Sequence, residues 1–130
     1  MKLRIRGNSI RLRLLRTEIN DLGAGKKIEE TTRLGPNPED IFTYSLAPHP
    51  DPSPVLTHWV QQALHITLSK ALAVELAETN RVSISEKIIF GDTVLKVLIE
   101  KDFKCLTTRE GEDESDNFEN PQESHLCEAK

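Results

Sequence analysis

Six cations recur at short, regular spacing near the start of the chain: Lys2, Arg4, Arg6, Arg11, Arg13 and Arg16. Leu3 and Ile5 alternate with them before Gly7-Asn8, and Ile10, Leu12 and Leu14 alternate with them after it. A guanidinium is a planar fork that donates two hydrogen bonds at once to a phosphate or a carboxylate. The chemistry this row offers is therefore anion binding. A two-stranded ribbon can also enter the major groove of a duplex. Lys26 and Lys27 enlarge the basic set.

Apolar and cationic residues alternate at period two, the pattern of a half-buried strand, and Gly-Asn between two such runs is a hairpin signal. With Gly7 and Asn8 as the loop, Arg6 faces Ser9, Ile5 faces Ile10, Arg4 faces Arg11, Leu3 faces Leu12 and Lys2 faces Arg13. One face is apolar and the other stacks cations against cations, which is destabilising. Either carboxylates on a neighbouring strand compensate, with Glu29 and Glu30 as candidates, or an anionic partner does.

Other chemistry is thinly represented. Cys105, His125 and Cys127 supply three soft ligands where zinc takes four, with no close Cys-x-x-Cys pair. Residues 113–120 fail as an EF-hand loop because Phe118 stands where glycine is obligatory. His49, His58, His65 and His125 are scattered without a recognisable serine or cysteine partner, and no Gly-rich phosphate loop occurs. The expectation is no catalytic residue, no metal and no cofactor.

Charge divides the chain. Through Gly35 there are nine Lys/Arg against four Asp/Glu, and from Glu110 onward one Lys against eight Asp/Glu, within a net charge of −4. A basic head and an acidic tail point to an anionic partner for the head, or to a tail that competes for it. The tail carries one aromatic, Phe118, among Asp113, Asp116 and their acidic neighbours. Such segments fold onto basic surfaces, so these three are candidate partner-binding residues. A solvated tail and a tail folded back over the chain's own arginines are the other readings. No run approaches the roughly 20 apolar residues of a membrane span, and the first residues lack the apolar core of a signal peptide. A soluble, cytoplasmic protein is expected.

Ordered elements are expected in 1–106. Residues 17–22 read as a short helix, 27–34 and 41–46 as strands, and 48–54, with four prolines, as a linker. A strand ending at Leu68, a helix over 70–79 capped by Ser69, and strands at 81–85, 88–90 and 94–99 follow. The two halves, 1–47 and 55–104, share one grammar. The fold predicted is α+β: two ββαββ halves packed as one mostly antiparallel, barrel-like domain, with 107–130 an acidic tail, extended or disordered. Neither half alone is large enough to bury a sufficient core. The expected core is Leu3, Ile5, Ile10, Leu12, Leu14, Ile19, Leu22, Ile66, Leu68, Leu72, Leu76, Val82, Ile84, Val97 and Ile99.

Arg6-Gly-Asn-Ser-Ile-Arg-Leu-Arg-Leu14, the short helix ending at Leu22-Gly23 and Lys26-Lys27-Ile28-Glu29 resemble the DNA-binding module of AbrB/MazE-type regulators and antitoxins. The resemblance covers residues 2–46, and 64–99 in outline. It implies a swapped-hairpin barrel, DNA binding by the basic strands and, as in MazE-type antitoxins, an acidic extension that wraps a protein partner. The chain departs from that pattern at Leu15-Arg16, where the family has a proline, and at Gln61, Gln62, His65 and Thr67, where the second half lacks the arginines. As a whole the chain resembles a small family of uncharacterised bacterial proteins with the same opening run and a similar Glu100-Lys-Asp-Phe103, Cys105 and Asp116-Asn-Phe118 ending, a likeness that implies no activity. The function expected is a non-enzymatic regulatory or interaction protein with a nucleic-acid-binding ribbon. The alternatives are an antitoxin-like adaptor acting through its tail, or a structural protein. Partners of three kinds follow: nucleic acid, a basic protein, and a second copy of the chain.

Overall fold

Lys2 to Arg13 form a hairpin in the register the alternation predicts, from Lys2 opposite Arg13 through Arg4 opposite Arg11 to Arg6 opposite Ser9. Gly7, at the first loop position, has φ +53°, a sign that glycine adopts freely and other residues resist. The computed structural model containing this hairpin describes residues 1–103. Among these the elements run β1 (Lys2–Arg6), β2 (Ser9–Leu14), α1 (Arg16–Gly23), β3 (Ile28–Arg33), β4 (Ile41–His49), β5 (Val55–Val60), β6 (Ala63–Ser69), α2 (Lys70–Glu78), β7 (Ser83–Phe90) and β8 (Thr93–Lys101).

The strands make two four-stranded sheets, ordered β1-β2-β8-β7 and β3-β4-β6-β5. Each sheet takes one hairpin from each half of the chain. The hairpins themselves are antiparallel, but β2 joins β8, and β4 joins β6, in parallel. Pairing is thus mostly antiparallel, as expected, but the barrel-like domain is corrected to two separate mixed sheets. Among the described residues no ladder links the edge strands of one to those of the other, and the buried faces close over a shared core instead.

The halves correspond position by position. Ser9 opposite Lys96 in the first sheet matches Ala63 opposite Thr43 in the second. The turn carbonyls of Asn8 and Gln62 accept from Lys96 and Thr43 at 3.0 and 3.2 Å in equivalent places. The helices start at matching points too, with different caps. Ser69 Oγ accepts the Leu72 N–H at 3.2 Å, whereas Leu15 has no side-chain acceptor, and the Glu18 carboxylate takes the Leu15 N–H at 2.8 Å. Glu18 and Glu30 also hold the Met1 amine, at 2.5 and 2.6 Å. Burial works against the charge on that amine, but these two hydrogen bonds outweigh it and keep its pKa above the usual value.

Both sheets and both helices contribute to one core built on Leu12, Leu14, Leu22, Leu46, Ile66, Leu68, Leu76, Ile84 and Ile99. The helices meet closely: a Cβ added at Gly23 would lie 2.5 Å from the Ala77 Cβ. Two expected core members are corrected. Ile5 is 57% exposed because β1 is an edge strand at its hairpin end, and Val82, 50% exposed, lies in the connection before β7. Leu3 and Leu72 are partly buried, while Leu46, Val55 and Ala73 join the core.

Two local expectations also change. Val55–Leu68 holds two strands, turned by Gln61 and Gln62 at φ +48° and +66°. Pro48 and His49 belong to β4 rather than to the linker. They lie past the last β3 pairing at Leu46, where one side of the strand is open and a proline is tolerated. Among the described residues no helix is long and apolar enough to cross a membrane.

Candidate anion-binding face

Because side chains alternate across a sheet, the register assigns each residue of β1-β2-β8-β7 to a face. The core side takes Ile10, Leu12, Leu14, Val97, Ile99 and Ile84. Three rows cross the outer side: Lys2–Arg13–Glu100–Ser83, Arg4–Arg11–Leu98–Ser85 and Arg6–Ser9–Lys96–Lys87. Beyond the third row, Val94 faces Ile89 on the protruding β7–β8 hairpin. Rows stand about 7 Å apart and columns about 4.8 Å apart. This one face carries seven Lys/Arg against a single strand carboxylate, Glu100.

Glu100 answers part of the repulsion between facing cations. Its carboxylate lies 3.2 Å from Arg13 Nε and 3.9 Å from Arg11 Nε, with all three side chains half-buried or better. Asp102, just beyond β8, lies 3.4 Å from Lys2 Nζ. The compensating strand is thus β8, not the one carrying Glu29 and Glu30, which sits in the other sheet. Arg4, Arg6, Lys87 and Lys96 are exposed and make no ion pair among the described residues.

Of the residues singled out above, the structure brings Lys2, Arg4, Arg6, Arg11 and Arg13 together. Arg16 stands apart, at the first position of α1, where it lines a cavity of about 350 Å³ with Asn20, Asn80 and Phe103. Lys26 and Lys27 also lie off this face, against Asp21 at 3.9 Å and Glu29 at 2.9 Å. The hydrogen bond and charge of Lys27 hold the Glu29 carboxyl below its usual pKa. Lys87 and Lys96 were missed. Their signal was the Gly91-Asp92 pair, which, treated as a two-residue loop like Gly7-Asn8, sets Lys87 opposite Lys96. Asp113, Asp116 and Phe118, like Cys105, His125 and Cys127, lie outside the described residues.

The equivalent face of β3-β4-β6-β5 has a different character. Its rows are Glu29–Ser45–His65–His58 and Thr31–Thr43–Ala63–Val60. Its strand cation, Arg33, is folded back onto the carbonyls of Gly35 and Pro36. Ser45 Oγ and His65 Nδ1 share a hydrogen bond of 2.5 Å, a pairing that their spacing in the chain conceals. Ser45 is only 3% exposed, so the contact satisfies a buried hydroxyl and does not present a nucleophile. Both His49 nitrogens are occupied, by Thr67 Oγ1 at 2.8 Å and the Ser53 carbonyl at 2.6 Å. Among the described residues no three His, Cys, Asp or Glu side chains gather as a metal site.

The model of a family of unknown function (DUF7009) matches residues 1–122. No curated protein and no solved structure matches the chain at a significant level.

Proposed function

We propose that this chain, which belongs to that family of unknown function, is a non-enzymatic polyanion-binding protein whose interface is the outer face of β1-β2-β8-β7 and whose partner is nucleic acid. The observation that carries this reading is the seven-to-one excess of Lys/Arg on one sheet face of a chain with net charge −4. Like charges in register cost stability, and four of these seven have no carboxylate partner among the described residues to offset that cost. A phosphate backbone supplies negative charge at comparable spacing and releases counterions when neutralised. The resemblance to AbrB/MazE modules supports the same reading, since exchanged hairpins join the two halves here within one chain.

The face also favours a backbone over exposed bases. Its rows hold cations, serines, Glu100 and Leu98 but no aromatic ring, whereas single-strand binders stack bases on aromatics. Phe42, Tyr44 and Trp59 cluster in the other sheet. The contacts expected are therefore to duplex phosphates, with modest sequence preference.

Photo-cross-linking to a bromodeoxyuridine-substituted duplex, followed by peptide mass spectrometry, locates the interface. Cross-linked peptides are expected from residues 2–13 and 87–100. Cross-links confined to the helices or to β3–β6, or none at all, would reject the reading.

A further inference from the structure

Arg16 is the cation of the opening series that the sheet face leaves unused, and the structure sets it at the rim of the cavity of about 350 Å³ between the two helices and the end of β8. That volume falls within the roughly 300–1,000 Å³ typical of small-molecule sites. The floor is apolar: Leu14, Ile19 and Leu76 are core members, none more than 3% exposed. The rim is polar. Arg16 and Asn20 stand one turn apart on the same side of α1, and Asn80 follows the end of α2. All three side chains are exposed and make no hydrogen bond or ion pair among the described residues. Lys101 lies on the core side of β8 by strand alternation. Its Nζ donates to the Thr79 carbonyl at 3.0 Å and carries two further N–H groups. Asp102, the one carboxylate among the described lining residues, already faces Lys2 Nζ at 3.4 Å. The rim thus offers two cations and two amides while its acid is engaged elsewhere.

We infer that this cavity is a binding site for a small organic acid, a carboxylate carried on an apolar body. The Arg16 fork takes both carboxylate oxygens, the Lys101 ammonium adds charge, and the amides of Asn20 and Asn80 donate at the rim. The apolar body lies on Leu14, Ile19 and Leu76, displacing water from a surface that a wholly polar anion would leave wet. Because Leu14 and Lys101 lie on the core side, the site is separate from the outer face proposed for nucleic acid and stands or falls without it.

Amide NMR titration of the full-length chain with 3-phenylpropionate, its neutral amide and inorganic phosphate tests the site. The carboxylate should shift residues 14–20, 76–80 and 101–103 saturably, and the two comparators should bind there about tenfold more weakly or worse. Arg16→Gln should raise the Kd for 3-phenylpropionate about tenfold, through loss of a charge-assisted contact. Asn80→Asp, which sets a carboxylate at the rim, should raise it at least as far. Both changes fall on exposed side chains without partners among the described residues, so the melting curves should stay in place. Arg16→Lys keeps the charge and loses the fork, and should fall between the parent and Arg16→Gln. No saturable shift at these residues would overturn the inference. So would equal affinity for the neutral amide, a phosphate response as strong as the carboxylate's, or a Kd unchanged in both Arg16→Gln and Asn80→Asp. Shifts centred on Lys2–Arg13 and Lys87–Glu100 would assign the acid to the cationic sheet face and overturn it as well.

Discussion

Replacing Arg4, Arg6, Lys87 and Lys96 together by glutamine will weaken binding to a short duplex at low salt by roughly a hundredfold to a thousandfold, taking each charge-assisted phosphate contact as about 1 kcal/mol. The fold should tolerate the change. All four side chains are exposed and none pairs with a carboxylate among the described residues, so the change breaks no ion pair among them. Arg4 opposite Arg11, and Arg6 in the row of Lys96 and Lys87, are repulsive arrangements that glutamine relaxes. Thermal unfolding should therefore be unchanged or shifted slightly upward. Arg13 makes the opposite case: its loss leaves the half-buried Glu100 carboxylate short of its closest partner, so Arg13→Gln mixes a stability effect with a binding one. Anisotropy titrations of the quadruple variant, paired with its melting curve, separate the two.

Leu12→Ala and Ile66→Ala should each lower the free energy of unfolding by roughly 2–5 kcal/mol, the usual cost of truncating a fully buried aliphatic side chain. Leu12 is 0% and Ile66 1% exposed, and they occupy equivalent positions in the two halves. Each sheet contains a hairpin from each half, so neither half can unfold without opening both sheets. One cooperative transition is expected in urea for the parent and for both variants. A second transition in either variant, or an Ile66→Ala protein in which residues 2–14 remain protected from hydrogen exchange, would contradict the exchanged-hairpin architecture.

What the sequence made legible was local. The Gly7-Asn8 hairpin follows from a turn pair and period-two alternation alone, and all five of its pairings were correct. The Ser69 cap and both helices likewise depend on neighbours a few residues away. What escaped depended on residues distant in the chain. Glu100 was not recognised as the partner of Arg13 because β2 and β8 lie side by side only through the exchange of hairpins. The Gln61-Gln62 turn escaped because both residues take a left-handed conformation that glutamine rarely adopts. Pro48 implied the end of a strand, but β4 continues past it because its neighbour β3 has already stopped. Ile5 satisfied the apolar alternation yet lies exposed, since alternation identifies a face and cannot say how far the core extends beneath an edge strand. At the candidate site the sequence exposed five of the seven cations and left Lys87 and Lys96 to be placed by the tertiary pairing.

The salt dependence of duplex binding tests the central claim most directly, because counterion release counts the cations that meet phosphates. A plot of log association constant against log salt should have a slope of about −4 or steeper for the parent chain, since each neutralised phosphate contributes roughly −0.9. In the Arg4, Arg6, Lys87 and Lys96 variant the slope should be shallower by about 3–4. A flat plot for the parent, or the same slope for both proteins, would show that this face does not meet a polyanion.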